Sequence, residues 1–318
     1  MKPAKINHQP VQAFFQSSED IVIASHQRPD GDAVGAVLGL GLSLMSLGKV
    51  VQMVLVDGVP EKLRFLHGSD LIQRSYRAAR NQVIIALDCS DQARLGKIFD
   101  GKIIDLNIDH HVTNLGFAGI NVVEPDASAT CEILAQSMPR WGLPLPKSGS
   151  EALLAGILID TIGFKTPNVS HSTLRLSADL VELGADLNVL YSKSLDARSY
   201  QALRYWGHGL KNLVVEDNLA WSTLSLEDRK AAGYAGNDDA DLINLLSSIE
   251  ETNITVLFTE QKNSVVKVSW RAKPDWDVSA IALDYGGGGH KAAAGAEISG
   301  DFQTVIAQVL AATKKLIA

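Results

Sequence analysis

Ser25-His26-Gln27-Arg28-Pro29-Asp30-Gly31-Asp32-Ala33-Val34-Gly35 follows the apolar run Ile21-Val22-Ile23-Ala24 and leads into a Gly-, Leu- and Val-rich segment at 33–47. The run has the length of a buried strand, and 31–47 reads as a buried helix. His26, Asp30 and Asp32 therefore fall where a strand hands over to a helix. One imidazole and two carboxylates held together in an apolar frame are costly unless a cation sits among them.

Three further apolar runs repeat the arrangement. Residues 50–56 precede Asp57-Gly58, residues 83–87 end in Asp88, and residues 103–108 end in Asp109-His110-His111. Helix-length stretches lie at 31–47 and 60–68. Wholly apolar runs alternating with helices predict an α/β fold with a parallel sheet covered on both faces. Ligands of such sheets gather beyond the carboxyl ends of the strands. His26, Asp88 and Asp109 each arrive at that end.

Helices are expected at 128–138, at 149–158, where Asp160-Thr161 follows, and at 172–183, closed by Gly184. Residues 187–212 read as one long helix of mixed polarity, which suits a connector between domains. The pattern then changes. Residues 213–216 and 219–224 flank the turn signal Asp217-Asn218. A second hairpin is expected from 254–259 and 265–270, a short helix at 277–285, a glycine loop at 286–289 and a last helix at 302–317. The expected division is an N-terminal domain over 1–188, a helical linker over 189–211 and a smaller α/β domain over 212–318.

The 318 residues, 46% hydrophobic and 20% charged, suit two globular domains. No apolar run has the length of a membrane span. Residues 1–16 lack the pattern of a secretory signal. Cys89 and Cys131 are too few for a disulfide framework, which fits a reducing, cytoplasmic setting. A net charge of −7 argues against coating long duplex nucleic acid, but a local positive site could still hold a short anion.

The candidate ligands are His26, Asp30, Asp32, Asp88, Asp109, His110, His111 and Asp160. Oxygen and imidazole donors without thiolate suit Mn, Fe, Co or Mg rather than structural Zn. Their number suggests two ions, which need a bridging carboxylate and can activate a water between them. Asp88, alone at its strand end, is the natural bridge. An isolated Asp-Gly-Asp is more often a turn, an isolated His pair more often a surface or core feature, and Asp160-Thr161 could be a helix cap. Their shared position at the ends of apolar runs favours the metal site. Cys89, Cys131, Trp206 and Trp221 read as packing residues, and the role of Arg28 is open.

These segments resemble, in order and spacing, the four motifs of the DHH phosphoesterases: 26–35, Asp88-Cys89-Ser90-Asp91, Asp109-His110-His111 and Asp160-Thr161. Arg271, residues 277–282 and the glycine run 286–295 look like the DHHA1 domain that follows in many members. The size is similar to that of the branch of bifunctional oligoribonucleases and PAP phosphatases. The resemblance implies a catalytic metal-binding DHH domain, a substrate-binding DHHA1 domain and an active site in the cleft between them. It implies two Mn2+ per site, with Mg2+ or Co2+ as substitutes. His26 and Asp30 would hold one ion, and Asp32, His110 and Asp160 the other, with Asp88 bridging. Asp109 would orient a ligand imidazole, and His111 would contact the scissile phosphate or assist proton transfer. Arg271, Gly287, Gly288, Gly289, His290 and Lys291 would grip a terminal phosphate, with the glycine N–H groups converging on the anion. Ala36, Ala272 and the position of Gly163 depart mildly from the pattern.

The implied activity is hydrolysis of short oligoribonucleotides to mononucleotides and of 3′-phosphoadenosine 5′-phosphate to AMP. The implied setting is cytoplasmic, without membrane partners, and a homodimer is a family expectation. Two alternatives use the same features: a cyclic or linear dinucleotide phosphodiesterase of cyclic di-AMP signalling, and a non-catalytic nucleotide- or RNA-binding module. Gly31 is expected because a side chain between two carboxylates serving different ions would lack room.

Overall fold

In the computed structural model, which describes residues 7–317, the chain divides into two compact units, Met1–Ala197 and Arg198–Ala318. Residues 1–6 of the stretch read for a signal lie outside the described residues. Among the described residues, no helix is long and apolar enough to cross a membrane.

The first unit contains α1 (His8–Ser17), β1 (Asp20–Ala24), α2 (Gly31–Ser46), β2 (Val50–Val54), β3 (Val83–Leu87), β4 (Leu106–Asp109), β5 (Ile120–Val123), α3 (Thr130–Ser137), α4 (Lys147–Asp160), α5 (His171–Glu182) and α6 (Leu187–Tyr191). Its five strands are all parallel, in the order β2-β1-β3-β4-β5. The order reverses between β1 and β3, where a ligand crevice is expected at the carboxyl ends. Strand alternation divides the core in two. Ile21, Ile23, Ile85 and Leu87 pack with the helices, while Val22, Ala24, Ile84 and Ala86 face a second cluster with Leu95, Phe99 and Ile104. That second face is covered by short 3₁₀ turns at Gln92–Leu95 and Lys97–Phe99 rather than by long helices.

The second unit contains α7 (Tyr200–Lys211), β6 (Val214–Glu216), β7 (Leu219–Leu224), α8 (Leu226–Ala232), α9 (Leu242–Leu246), β8 (Ile254–Gln261), β9 (Val265–Ala272), α10 (Ser279–Asp284), β10 (Gly288–His290), β11 (Ala293–Ser299) and α11 (Phe302–Ile317). These form a mixed sheet, β10-β11-β9-β8-β7-β6, with only β7 and β8 parallel. Asp217 and Asn218 both have positive φ, 48° and 64°, as the tight hairpin between β6 and β7 requires.

Four expectations need correction. Residues 60–68 form no α-helix but one 3₁₀ turn, Glu61–Leu63, with a second at Ser69–Leu71 just beyond. So short a segment repays helix nucleation poorly, and Leu63 and Leu66 anchor it in the core. The apolar run 103–108 pairs only from Leu106, and Ile103 is 80% exposed. The expected long helix over 187–212 is broken. A π-helical turn, Ser192–Asp196, ends α6, and Ser199 caps α7 by accepting from the Ala202 N–H. The glycine run is not an open loop, because Gly288–His290 pairs antiparallel with β11.

Candidate metal centre

The loop after β1 places His26 and Asp30, and α2 begins at once. Asp30 is the N-cap of α2: its Oδ1 accepts from the Ala33 N–H at 3.1 Å. Its Oδ2 lies 3.8 Å from His26 Nε2. The His26 ring is oriented by a 2.9 Å contact between Nδ1 and the Gln27 carbonyl, which leaves Nε2 for an ion. His110 repeats this design, with Nδ1 3.3 Å from the Ala127 carbonyl.

Asp88 stands between them. Its Oδ2 is 3.5 Å from His26 Nε2, and its Oδ1 is 3.7 Å from His110 Nε2. Thr130 Oγ1 donates to Oδ1 at 3.1 Å. Asp88 turns out of β3 with a positive φ of 52°, a conformation costing on the order of 1 kcal/mol or more. Its N–H, bonded to the Ile108 carbonyl at 2.9 Å, holds that turn.

Asp32, in the first turn of α2, is 1% exposed and accepts from the Thr130 and Cys131 N–H groups at 2.6 and 2.9 Å. The start of α3 thus stabilises a buried carboxylate. His110 Nε2 lies 3.9 Å from Asp32 Oδ2 and 3.6 Å from Asp160 Oδ2. Asp160 is the last residue of α4, and close packing of α2 on α4 brings Asp32 and Asp160 together. A Cβ on Gly31 would meet Ile159, on Gly35 the Ala152 carbonyl at 2.6 Å, and on Gly39 Leu153. Gly31 is therefore required by the helix it packs against and not by crowding between carboxylates.

Donor atoms come together in three groups within 4.8 Å: His26, Asp30 and Asp88; Asp32, His110 and Asp160; and Asp88, His110 and His111. Asp30 and Asp32 fall in different groups. Asp109 lies behind them, fully buried at the end of β4. Its Oδ1 bonds His111 Nδ1 at 2.7 Å and the His110 N–H at 2.9 Å, and its Oδ2 accepts from Asn114 at 2.6 Å. Asp109 thus orients His111, whose Nε2 carries no hydrogen bond among the described residues.

Burial opposes charge on Asp88, but the hydrogen bond to His26 and the nearby imidazoles of His110 and His111 outweigh it and hold the carboxyl at about 2. Burial lifts Asp160 to about 6; His110 opposes this, while Asp88 and Asp30 add to it. Burial, Asp88 and Asp160 together push Asp32 well above its usual value. Burial opposes protonation of His26 and His110, yet the facing carboxylates raise both. Among the described residues, these four carboxylates are ion-paired only with imidazoles. Oxygen and imidazole donors around uncompensated negative charge fit hard or borderline divalent cations. Cys89 and Cys131 are free and buried, and burial pushes the Cys89 thiol up to about 12, so neither competes as a thiolate.

The sequence reading missed Thr130, Asn107, Asn114 and Glu132. Asn107, a polar residue inside an apolar strand, carried a signal: it bonds Asn114, which in turn holds Asp109. Glu132 accepts from Ser128 and Thr173, fixing the start of α3. Thr130 left no trace in the sequence pattern.

In the second unit, Arg271, Ala293 and His290 form one cross-strand row over β9, β11 and β10, so Arg271 and His290 share a face. Arg271 donates to Asn244 Oδ1 and to the Trp270 carbonyl. The convergent N–H groups expected of the glycine run do not form as a set. The Gly286 and Gly287 N–H groups close α10 on the Leu283 and Ala282 carbonyls. A Cβ on Gly287 would lie 2.2 Å from the Gly295 carbonyl oxygen, so close strand approach explains that glycine. The Lys291 carbonyl accepts from the Val278 N–H.

Residues 20–157 match the DHH family, N-terminal domain, and residues 226–318 match the DHHA1 domain. The chain is 33% identical to the bifunctional oligoribonuclease and PAP phosphatase NrnA of Thermus thermophilus, over 93% of this chain and 89% of that protein. It is 26% identical to the protein of the same name from Mycoplasma genitalium, over 88% and 89% of the two chains. The crystal structure of an exopolyphosphatase-related protein from Bacteroides fragilis superposes with a TM-score of 0.91 at 27% identity, covering 100% of this chain and 99% of that one.

Proposed function

The chain belongs to the DHH family, with a DHHA1 domain following, and from that premise we propose that it is a two-metal phosphoesterase. On this reading it hydrolyses short oligoribonucleotides to mononucleotides and converts 3′-phosphoadenosine 5′-phosphate to AMP; its T. thermophilus and M. genitalium relatives are named bifunctional oligoribonuclease and PAP phosphatase. The observation that carries the reading is the forked contact of Asp88, one oxygen toward His26 and the other toward His110.

His26 and Asp30 would hold one divalent ion and Asp32, His110 and Asp160 the second, with Asp88 placed to serve both. Mn2+ is the proposed ion, with Mg2+ or Co2+ as substitutes. When bound, the ions polarise the phosphate and lower the pKa of water. The residues around them divide the remaining work. Asp109 keeps His111 Nδ1 engaged, so that Nε2 is presented to the substrate phosphate or leaving oxygen. Thr130 and the α3 N–H groups fix the carboxylates in place. The Arg271–His290 row, with Gly288, Gly289 and Lys291 beside it, is proposed to bind substrate phosphate, while the Gly287 N–H stays on the Ala282 carbonyl.

The test is a Mn2+-supplemented panel of di- to long oligoribonucleotides, 3′-phosphoadenosine 5′-phosphate and cyclic di-adenylate, with products resolved by chromatography. Mononucleotide release from the shortest RNAs and AMP from the bisphosphate are expected. Preferential turnover of the cyclic dinucleotide, or binding without turnover of any member, would overturn the reading.

A further inference from the structure

A cavity of about 730 Å³ lies within the first unit beside the metal centre, lined by His26, Gln27, Arg28, Asp30, Asp57, Ala93 and Arg94. That is the size of a small-molecule site. Its wall beside His26 and Asp30 is acidic metal-binding machinery, but it also carries two guanidiniums, those of Arg28 and Arg94. Among the described residues, neither guanidinium has a hydrogen bond or ion pair.

The backbone that carries these side chains is specifically held. Arg28 has a positive φ of 56°, which a long, branched-headed side chain rarely adopts. Its N–H donates to Asp57 Oδ2 at 2.6 Å, and the preceding Gln27 N–H donates to the Arg94 carbonyl at 2.7 Å. Motif residues 26–30 and the 3₁₀ turn Gln92–Leu95 are thereby pinned to each other through main chain, with the two arginines on the pinned segments. Among the described residues Asp57 forms no ion pair with either guanidinium, and its Oδ2 accepts from the Arg28 N–H. Strain is retained, and two cations remain unpaired, next to a cluster of carboxylates that by itself repels phosphate.

We propose that Arg28 and Arg94 form a second phosphate subsite, which holds a non-reacting phosphate of the substrate while the neighbouring phosphate lies at the metal centre. This rests on the phosphoesterase reading. Guanidinium forks suit bidentate phosphate contact. The ligand chemistry is a phosphate one nucleoside away from the reacting one. It is supplied by the 5′-phosphate of a dinucleotide, the next diester of a trinucleotide or the second phosphate of an adenosine bisphosphate.

The test compares Arg28→Ala, Arg94→Ala and Arg94→Lys with the wild type on ApA, which has one phosphate, and on pApA and ApApA, which have two. Dissociation constants for the same ligands come from calorimetry on metal-free and Mn2+-loaded protein. The wild type is expected to prefer two-phosphate ligands in both kcat/KM and Kd. Each alanine variant is expected to cut that preference about tenfold or more, the scale of a hydrogen bond to a charged group, with Arg94→Lys retaining part of it. A fall confined to the pApA-over-ApA ratio or to the ApApA-over-ApA ratio supports the subsite and identifies which phosphate it holds. A preference ratio unchanged by both alanine variants would overturn the subsite while leaving the phosphoesterase reading intact. Loss of all turnover by the wild type would instead overturn that reading, and the calorimetric ratio would still decide the subsite.

Discussion

Asp88, Asp109 and Asp160 show how three chemically identical side chains acquire different roles from their surroundings. Asp109 belongs to none of the donor groups and reaches the site through the His111 ring and the His110 N–H. Asp109→Asn should lower kcat about 10- to 100-fold while Mn2+ affinity stays close to wild type. His111→Ala should cost about 10²- to 10⁴-fold in kcat. Equal losses in kcat and metal affinity for either variant would contradict these roles. Asp160 ends a helix, at the negative pole of its dipole, and is lifted to about 6 by burial and its neighbours. A carboxyl raised in the folded state destabilises that state above the raised value and has no effect once both states are protonated. Metal-free Asp160→Asn should therefore melt at a higher temperature than wild type at pH 8 and by a much smaller margin at pH 4, measured by calorimetry. The ligating residue types were legible because each sits at the end of an apolar run. Thr130 and Glu132 were not, because Asp88 and Thr173, the partners that give them their place, are distant in sequence and a lone Thr or Glu in a helix has many ordinary uses.

At the scale of elements, the contact between α2 and α4 sets the site. Gly35→Ala would drive a Cβ to 2.6 Å from the Ala152 carbonyl, a backbone atom that cannot step aside. The helices must separate, carrying Asp32 and Asp160 apart. The expected cost is about 1–3 kcal/mol in urea unfolding, with weaker Mn2+ binding. Gly207→Ala is the contrast: it lies exposed within α7 with nothing near its Cβ, and it should stabilise by about 0.5–1 kcal/mol without affecting metal binding. The strands β1 and β3 and the α2 helix were legible because wholly apolar runs and a glycine-rich buried helix have few other solutions. The break in 187–212 was not, because polar pattern alone does not distinguish a continuous helix from two helices, each capped by its own Asp186 or Ser199. The strand at Gly288–His290 was hidden because glycines carry no side-chain period. The reason for Gly31 lay in Ile159, far along the chain.

At the scale of the molecule, the two units call for different responses to ligands. Hydrogen exchange should show Mn2+ adding protection around α2, the start of α3, the end of α4 and the Asp88 turn, while β8 and β9 stay unchanged. Adding AMP to the Mn2+-loaded protein should then protect residues 286–291 and Arg271. Protection confined to the first unit on AMP addition would remove the second unit's row from substrate binding. The parallel sheet and the two hairpins of the second unit were legible from the apolar runs and the change in pattern after residue 212, whereas the parallel pairing of β7 with β8 was not, because no local signal links two hairpins.

The dinuclear centre hinged on Asp88 is tested most directly by Mn2+ titration of the metal-free chain, read by electron paramagnetic resonance with spin counting. Two ions per chain with an exchange-coupled signal are predicted for the wild type, and loss of the coupled signal for Asp88→Ala. A single ion per chain, or a coupled pair that survives Asp88→Ala, would contradict it.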